Sequence, residues 1–161
     1  MYLCNMQKIY ILILSIFLLI SCGTNRARKV DNSVSGRAKT VLSKAYDFYG
    51  TPYQYGGTTR KGMDCSGLAL VSFAEVGIEL PRNSAKQAEY GIKVNIKRVE
   101  PGDMLFFNTS GRGISHAGIV DHIKDGEVFF IHASSSKGVM VSSLENSYWN
   151  KRFVKAVRYI Y

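Results

Sequence analysis

The sequence predicts an α+β domain in which N-terminal helices pack on an antiparallel sheet. Two observations carry this. Apolar residues recur at helical spacing from Ala38 to Phe73, and from Met104 onward the period becomes that of strands. A third concerns size. With 161 residues, 46% hydrophobic and 20% charged, the chain fills one ordinary domain, is too short for two of average size, and is not generally disordered.

In chain order, Lys8 precedes an apolar run from Ile9 to Ile20. That run falls short of the ~18–20 residues that span a bilayer and matches a signal-peptide core. Met6-Gln7-Lys8 makes a compact charged start, which leaves Met6 open beside Met1 as the first residue. Leu19-Ile20-Ser21-Cys22-Gly23 resembles a bacterial lipobox, whose cysteine carries the lipid. An ordinary secretion signal or a short buried helix are the alternatives. Residues 1–21 are therefore expected as a signal peptide, Cys22 as a lipid attachment bearing palmitate, and 22–35 as a polar tether. Arg26, Arg28 and Lys29 could touch anionic headgroups, although a merely solvated linker is the preferred account.

The domain is expected over 36–161. Ala38, Val41, Leu42, Ala45 and Phe48 outline an amphipathic helix that stops near Gly50 and Pro52. Tyr53 to Lys61 reads as a loop rich in Tyr, Gly and Thr. Asp64 reads as the N-cap of a helix from Cys65 to Val76, stopped by Gly77. Ser84 and Gln87 fit a capping box opening a short helix to Tyr90. Glu100-Pro101-Gly102-Asp103 is a turn before the strand Met104–Phe107. After the polar loop Asn108–Ser115, His116–Ile123 and Val128–Ser134 form a hairpin around Lys124-Asp125-Gly126-Glu127. Val139–Val141 and Val154–Tyr161 are expected to close the sheet.

Charge and cysteine usage narrow the function. The formal charge is +9, and removing residues 1–21 takes away only Lys8, leaving +8. That balance suits an anionic polymer or a membrane surface; an export signal argues against nucleic acid. Once Cys4 departs with the signal and Cys22 carries lipid, Cys65 is the one thiol left, in a compartment where thiols usually pair. Its place just inside a helix N-terminus is expected to favour thiolate. A nucleophilic thiol needs a base, and the base needs an orienting partner. Three histidines are available: His116, His122 and His132.

The hairpin sets a condition on any His116/His132 pair. An ideal two-residue turn on Asp125-Gly126 pairs Ile119 with His132 and puts His116 and His132 on opposite faces. An extra residue in the turn, or a β-bulge, restores a common face. An irregular hairpin is therefore expected.

Six ordered blocks resemble the NlpC family of bacterial cell-wall cysteine peptidases. They are Gly50-Thr51-Pro52-Tyr53-Gln54-Tyr55-Gly56-Gly57; Asp64-Cys65-Ser66-Gly67-Leu68; Leu80-Pro81-Arg82 with Gln87; Pro101-Gly102-Asp103 with Leu105-Phe106-Phe107; Ser115-His116-Ala117-Gly118-Ile119; and Phe130-Ile131-His132-Ala133-Ser134 with Tyr148-Trp149. The resemblance implies a papain-like fold, with Cys65 as nucleophile, His116 as base and His132 as orienting third member. It implies an oxyanion place for Tyr53 and a structural or substrate-binding place for Asp64 and Ser66, with the Cys65 amide as a second oxyanion donor. A core aromatic is the competing account of Tyr53. His116 and His132 stand further apart in sequence than in some relatives, which bears on the hairpin tip alone.

Within the family, the lipobox and the Tyr148–Phe153 ending look most like murein DD-endopeptidase lipoproteins. These cut D-Ala–diaminopimelate crosslinks between peptidoglycan stem peptides. The expected protein is a monomeric peptidoglycan hydrolase that needs no metal or cofactor. It would be held by the lipid on Cys22 to a periplasm-facing membrane of the cell envelope, the outer one favoured. Competing readings are a γ-D-glutamyl–diaminopimelate endopeptidase, a non-catalytic peptidoglycan-binding lipoprotein, acyl transfer by the same Cys/His pair, and a Cys65/His116/His132 zinc site. Zinc would quench the thiolate.

Overall fold

The computed structural model describes residues 35–161, so the expected signal peptide, the lipobox and all of the tether except Ser35 lie outside the described residues. Helix α1, Gly36–Asp47, is capped by Ser35, whose Oγ accepts from the Ala38 amide, and it buries Ala38, Val41, Leu42 and Ala45. The loop expected before Asp64 contains a two-rung hairpin, β1 (Thr58–Thr59) with β2 (Gly62–Met63). Helix α2, Cys65–Ala74, begins at Asp64 and ends two residues earlier than expected; Gly77 at φ +72° completes the stop.

The expected capping box does not form. Asn83 is the N-cap of α3 (Ser84–Gln87), accepting from the Ala85 and Lys86 amides, and Ser84 is the first helical residue. The Gln87 side chain instead donates to the Ser66 and Pro81 carbonyls. A buried amide aimed at two long-range acceptors has no reach left for its own helix start.

The sheet follows: β3 (Ile92–Val94), β4 (Met104–Phe107), β5 (His116–Lys124), β6 (Glu127–Ser134), β7 (Gly138–Ser143) and β8 (Phe153–Arg158), in the order β3-β8-β4-β5-β6-β7 with every pair antiparallel. The sequence pattern had not separated β3, the 3₁₀ turn Ile96–Arg98, or helix α4 (Ser147–Asn150) from loop. Each is three or four residues long, too short to show a period.

Both faces of the sheet are covered, which is why β4 is apolar at every position. On one face α1 and α2 pack through Val41, Leu42, Leu68 and Phe73 against Met104, Phe106, Ala117, Ile119 and Ile131. On the other, Leu105, Phe107, Val120, Phe130 and Ala156 meet Val99 and Leu144, with Trp149 and Phe153 packed over them. Fully burying each large side chain contributes about 1.5–3 kcal/mol.

The hairpin is irregular, as its histidines require. Asp125 (φ 53°) and Gly126 (φ 82°) both take the left-handed conformation, so the turn itself is a two-residue one. Lys124, Ile123 and His122 pair with Glu127, Val128 and Phe129; then Val120 pairs with Phe130 and Ile119 with Ile131. Asp121 is inserted between these two registers as a β-bulge. The shift by one residue brings His132 beside Gly118, on the face that carries His116.

Candidate active site

Cys65 is the first residue of α2 and is buried. The Asp64 side chain caps the helix by accepting from the Gly67 amide at 2.7 Å. It does more than cap. Arg82 grips it with two hydrogen bonds of 2.8 Å, Nη1 to Oδ1 and Nη2 to Oδ2, and the Gly56 amide donates to Oδ2 at 2.7 Å. Ser66 Oγ receives from Arg82 Nη1 at 2.7 Å and donates to Asp64 Oδ1. Burial pushes the Asp64 carboxyl up, but Arg82 and the Gly67 and Gly56 amides outweigh it and hold the group ionised below the usual carboxylate range.

This network ties the glycine-rich loop to the first turn of α2. Arg82 also donates to the Gly57 carbonyl, and that carbonyl would stand 2.2 Å from any Cβ at Gly67. Asp64 and Ser66 thus hold the helix start and the loop together. Arg82 is the residue that reading motifs left without a role. The burial of Asp64, which only the fold reveals, is what calls for a cationic partner.

Tyr53 forms an isolated bridge with Met63 and packs on the helix-side core. Burial raises its phenol pKa, and the nearby Cys65 and Asp64 raise it further, so its ring lies within electrostatic reach of the thiol. The core account of Tyr53 thus holds, with its phenol near enough to Cys65 and Asp64 to feel their charge.

Helix α2 packs against β5 and β6, and the amide of Ala117, next to His116, interacts with the Cys65 sulfur. His116 and His132 are both buried, and His116 Nε2 lies 3.0 Å from His132 Nδ1. The far nitrogen, His132 Nε2, lies 2.9 Å from Ser142 Oγ on β7. Ring nitrogens that face one another in a chain do not converge on a common ion, which removes the geometric basis for the zinc alternative. Trp149 stacks on His116 at 5.0 Å between centroids and meets His132 edge-on at 4.7 Å. Phe107 and Phe130 complete an aromatic wall around the pair.

Sequence reading missed Ser142. Along β7, Val139 and Val141 join the helix-side core, so Met140 and Ser142 belong to the face of His132. A hydroxyl on that face of a closing strand was the available signal. His122, the third histidine, is apart from the site. It binds Asp121 at 2.7 Å and stacks on Phe129.

The electrostatics correct one expectation. Burial pushes the Cys65 thiol up from 9.0 to about 11, and the amides of Ala117, Ser66 and Cys65 itself only partly offset it. The helix N-terminus therefore does not make a resting thiolate. Burial likewise pushes His116 down to about 4, and His132 down to about 3, the latter also through its neighbour His116. At neutral pH both groups therefore rest uncharged, a protonated thiol at the start of α2 and a neutral imidazole on β5 free to act as a base.

Comparison with known proteins identifies the family. The sequence profile of the NlpC/P60 family matches residues 50–158. The probable endopeptidase NlpC of Escherichia coli is 40% identical over 158 residues, covering 94% of this chain and 99% of that one. The Escherichia coli murein DD-endopeptidase MepS/murein LD-carboxypeptidase is 38% identical over 135 residues, 83% of this chain and 66% of that one. Among solved structures, an NlpC/P60 family protein from Bacillus cereus superposes with a TM-score of 0.69 at 29% identity, covering 77% of this chain and 40% of that one. Sequence blocks, helices on an antiparallel sheet and the profile match converge: this chain belongs to the NlpC/P60 family.

Proposed function

We propose that the protein is a peptidoglycan hydrolase, a cysteine endopeptidase that cleaves amide bonds in murein stem peptides. The observation that carries it is the relay His116–His132–Ser142 together with a buried thiol at a helix N-terminus whose sulfur meets the amide of Ala117, the residue next to His116. Because His116 Nε2 is engaged by His132, Nδ1 is the nitrogen left for the Cys65 thiol. The productive tautomer follows. His116 donates Nε2–H to His132 Nδ1, and His132 donates Nε2–H to Ser142 Oγ.

In this mechanism Cys65 Sγ attacks the amide carbonyl while His116 Nδ1 takes the thiol proton. The tetrahedral oxyanion is met by the Cys65 amide and the Tyr53 hydroxyl. Collapse breaks the C–N bond, His116 protonates the leaving amine, and water hydrolyses the thioester with His116 again as base. His132, held neutral by burial, orients the ring and accepts from the imidazolium.

The D-Ala–diaminopimelate crosslink is the preferred bond, on the likeness to a relative named as a murein DD-endopeptidase. Lipid on Cys22 and the tether of residues 22–35 would hold the enzyme, as a monomer, at a periplasm-facing membrane close to its substrate. No helix among the described residues is long and apolar enough to cross a membrane. The formal charge, +9 for the whole sequence and +8 once Lys8 leaves with residues 1–21, suits the acidic polymer.

One observation favours a second reading, a non-catalytic stem-peptide receptor: Cys65 is buried and its thiol is pushed up to about 11. Purified muropeptide dimers, incubated with the full-length protein and with Cys65→Ala, separate the readings by product mass. Monomers from the wild type alone identify the crosslink endopeptidase, and shortened stems identify the γ-D-glutamyl bond. Binding by both proteins without cleavage identifies the receptor.

A further inference from the structure

The bulge that aligns the two histidines is itself held by side chains. We propose that Asp121 is a positioning residue of this site: anchored by Tyr46 and His122, it fixes the β-bulge that sets the His116–His132 contact. The inference rests on the catalytic reading for its consequence in turnover, but not for its geometry.

Asp121 is buried, and both anchors meet the same oxygen. Tyr46 on α1 donates its hydroxyl to Asp121 Oδ2 at 2.8 Å, and His122 Nδ1 lies 2.7 Å from that oxygen. One anchor comes from a different layer of the fold; the other is the first residue beyond the bulge. His122 is steadied in turn by stacking on Phe129, its partner across the hairpin, at 4.5 Å and 3°. The residue before the bulge is fixed through its backbone. Gly102 donates to the Val120 carbonyl at 2.8 Å, and the Val120 amide donates to the Asp103 carbonyl at 2.7 Å. The inserted residue is thus clamped on both sides and tied to the helix layer.

The reason for such a clamp lies in the period of two along a strand. Sliding β5 by one residue against β6 at this point would return Ile119 to a place opposite His132 and put the two imidazoles on opposite faces. A bulge whose side chain dangled in solvent would leave that slip available. Asp121 makes it costly, because the slip drags a buried carboxylate away from two donors. Tyr46, Asp121 and His122 all lie apart from the reacting atoms, so their effect on turnover passes through ring placement alone.

The test uses the full-length protein in detergent, with histidine labelled with ¹⁵N, and the variants Asp121→Ala, Asp121→Asn and Tyr46→Phe. Two readouts are taken: the imidazole NMR signature of the His116–His132 hydrogen bond, and kcat against KM on muropeptide dimers. Asp121→Ala is expected to lose the coupled-imidazole signature and to lower kcat on the order of 10–100-fold with KM within about twofold, as sub-ångström misplacement does. Asp121→Asn, which keeps an oxygen for Tyr46, should recover most of both.

Tyr46→Phe removes one hydroxyl, keeps the fold if Asp121→Ala does not, and should fall between the two. An unchanged imidazole signature in folded Asp121→Ala, or in Tyr46→Phe if Asp121→Ala does not fold, would overturn the proposal. If the wild type cleaves no murein peptide, the catalytic reading fails while the NMR readout still decides the positioning claim.

Discussion

His116 and His132 meet nitrogen to nitrogen, Nε2 to Nδ1 at 3.0 Å, and the chain of contacts ends on Ser142 Oγ at 2.9 Å. A neutral imidazole in the third position offers His116 a lone pair rather than a full charge. Its orientation therefore depends on what holds it.

Ser142→Ala removes that hold. A net hydrogen bond contributes about 0.5–1.5 kcal/mol, which corresponds to roughly a 2–10-fold fall in kcat. KM should change little, because Ser142 touches His132 and not the substrate-facing side of the site. Steady-state kinetics on muropeptide dimers check this, and Ser142→Thr, which restores a hydroxyl, should recover activity.

The neutral resting pair predicts how Cys65 reacts with alkylating agents. With the thiol at about 11 and His116 at about 4, the iodoacetamide rate should keep climbing from pH 7 to pH 10. A preformed thiolate–imidazolium pair would instead give a rate already level near pH 6. Mass spectrometry of Cys65 labelling against pH distinguishes the two.

Stability should fall on acidification before any carboxylate is involved. His116 and His132 are lowered from 6.5 to about 4 and about 3, so below pH 6.5 the unfolded chain binds protons that the folded one does not. Stability is complete above that pH and is lost as pH falls toward those lowered values. Between pH 6.5 and 4.5 the loss is roughly 2 kcal/mol per histidine. Asp64, held low by Arg82, adds its own loss only at more acid pH. Urea unfolding at pH 7 and pH 4.5 measures the effect, and His132→Gln should shrink it.

Gly118 allows the close approach of β5 to the aromatic wall. A Cβ there would lie 2.5 Å from Phe130 Cδ2 and 3.3 Å from His132 Cβ. Gly118→Ala should therefore cost about 1–3 kcal/mol of stability. It should also lower kcat by more than its stability loss explains at an assay temperature where the variant is fully folded. Thermal unfolding alongside kinetics separates the two effects.

The motifs were readable because their residue types are forced by chemistry. A helix cap before a thiol, and histidines on strands with a required common face, leave few alternatives. The need for an irregular hairpin followed from parity alone, and the bulge at Asp121 met it inside the strand while the turn stayed a tight two-residue one. What could not be read depended on long-range partners. Arg82 reaches Asp64 across 18 residues, Tyr46 reaches Asp121 across 75, and Gln87 turns from its own helix to the Ser66 carbonyl. The thiol's protonation was misjudged for a similar reason. The helix end is visible in sequence, but the burial that outweighs it is made by β5 and its neighbours.

The central claim is that Cys65 forms a covalent acyl-enzyme. Rapid acid quench of the full-length protein during turnover of muropeptide dimers, followed by peptide mapping, tests it directly. The account predicts a stem-peptide acyl group in thioester linkage to Cys65, accumulating before steady state and absent from Cys65→Ala. Turnover that persists in Cys65→Ala, or an acyl group found on any other residue, would contradict it.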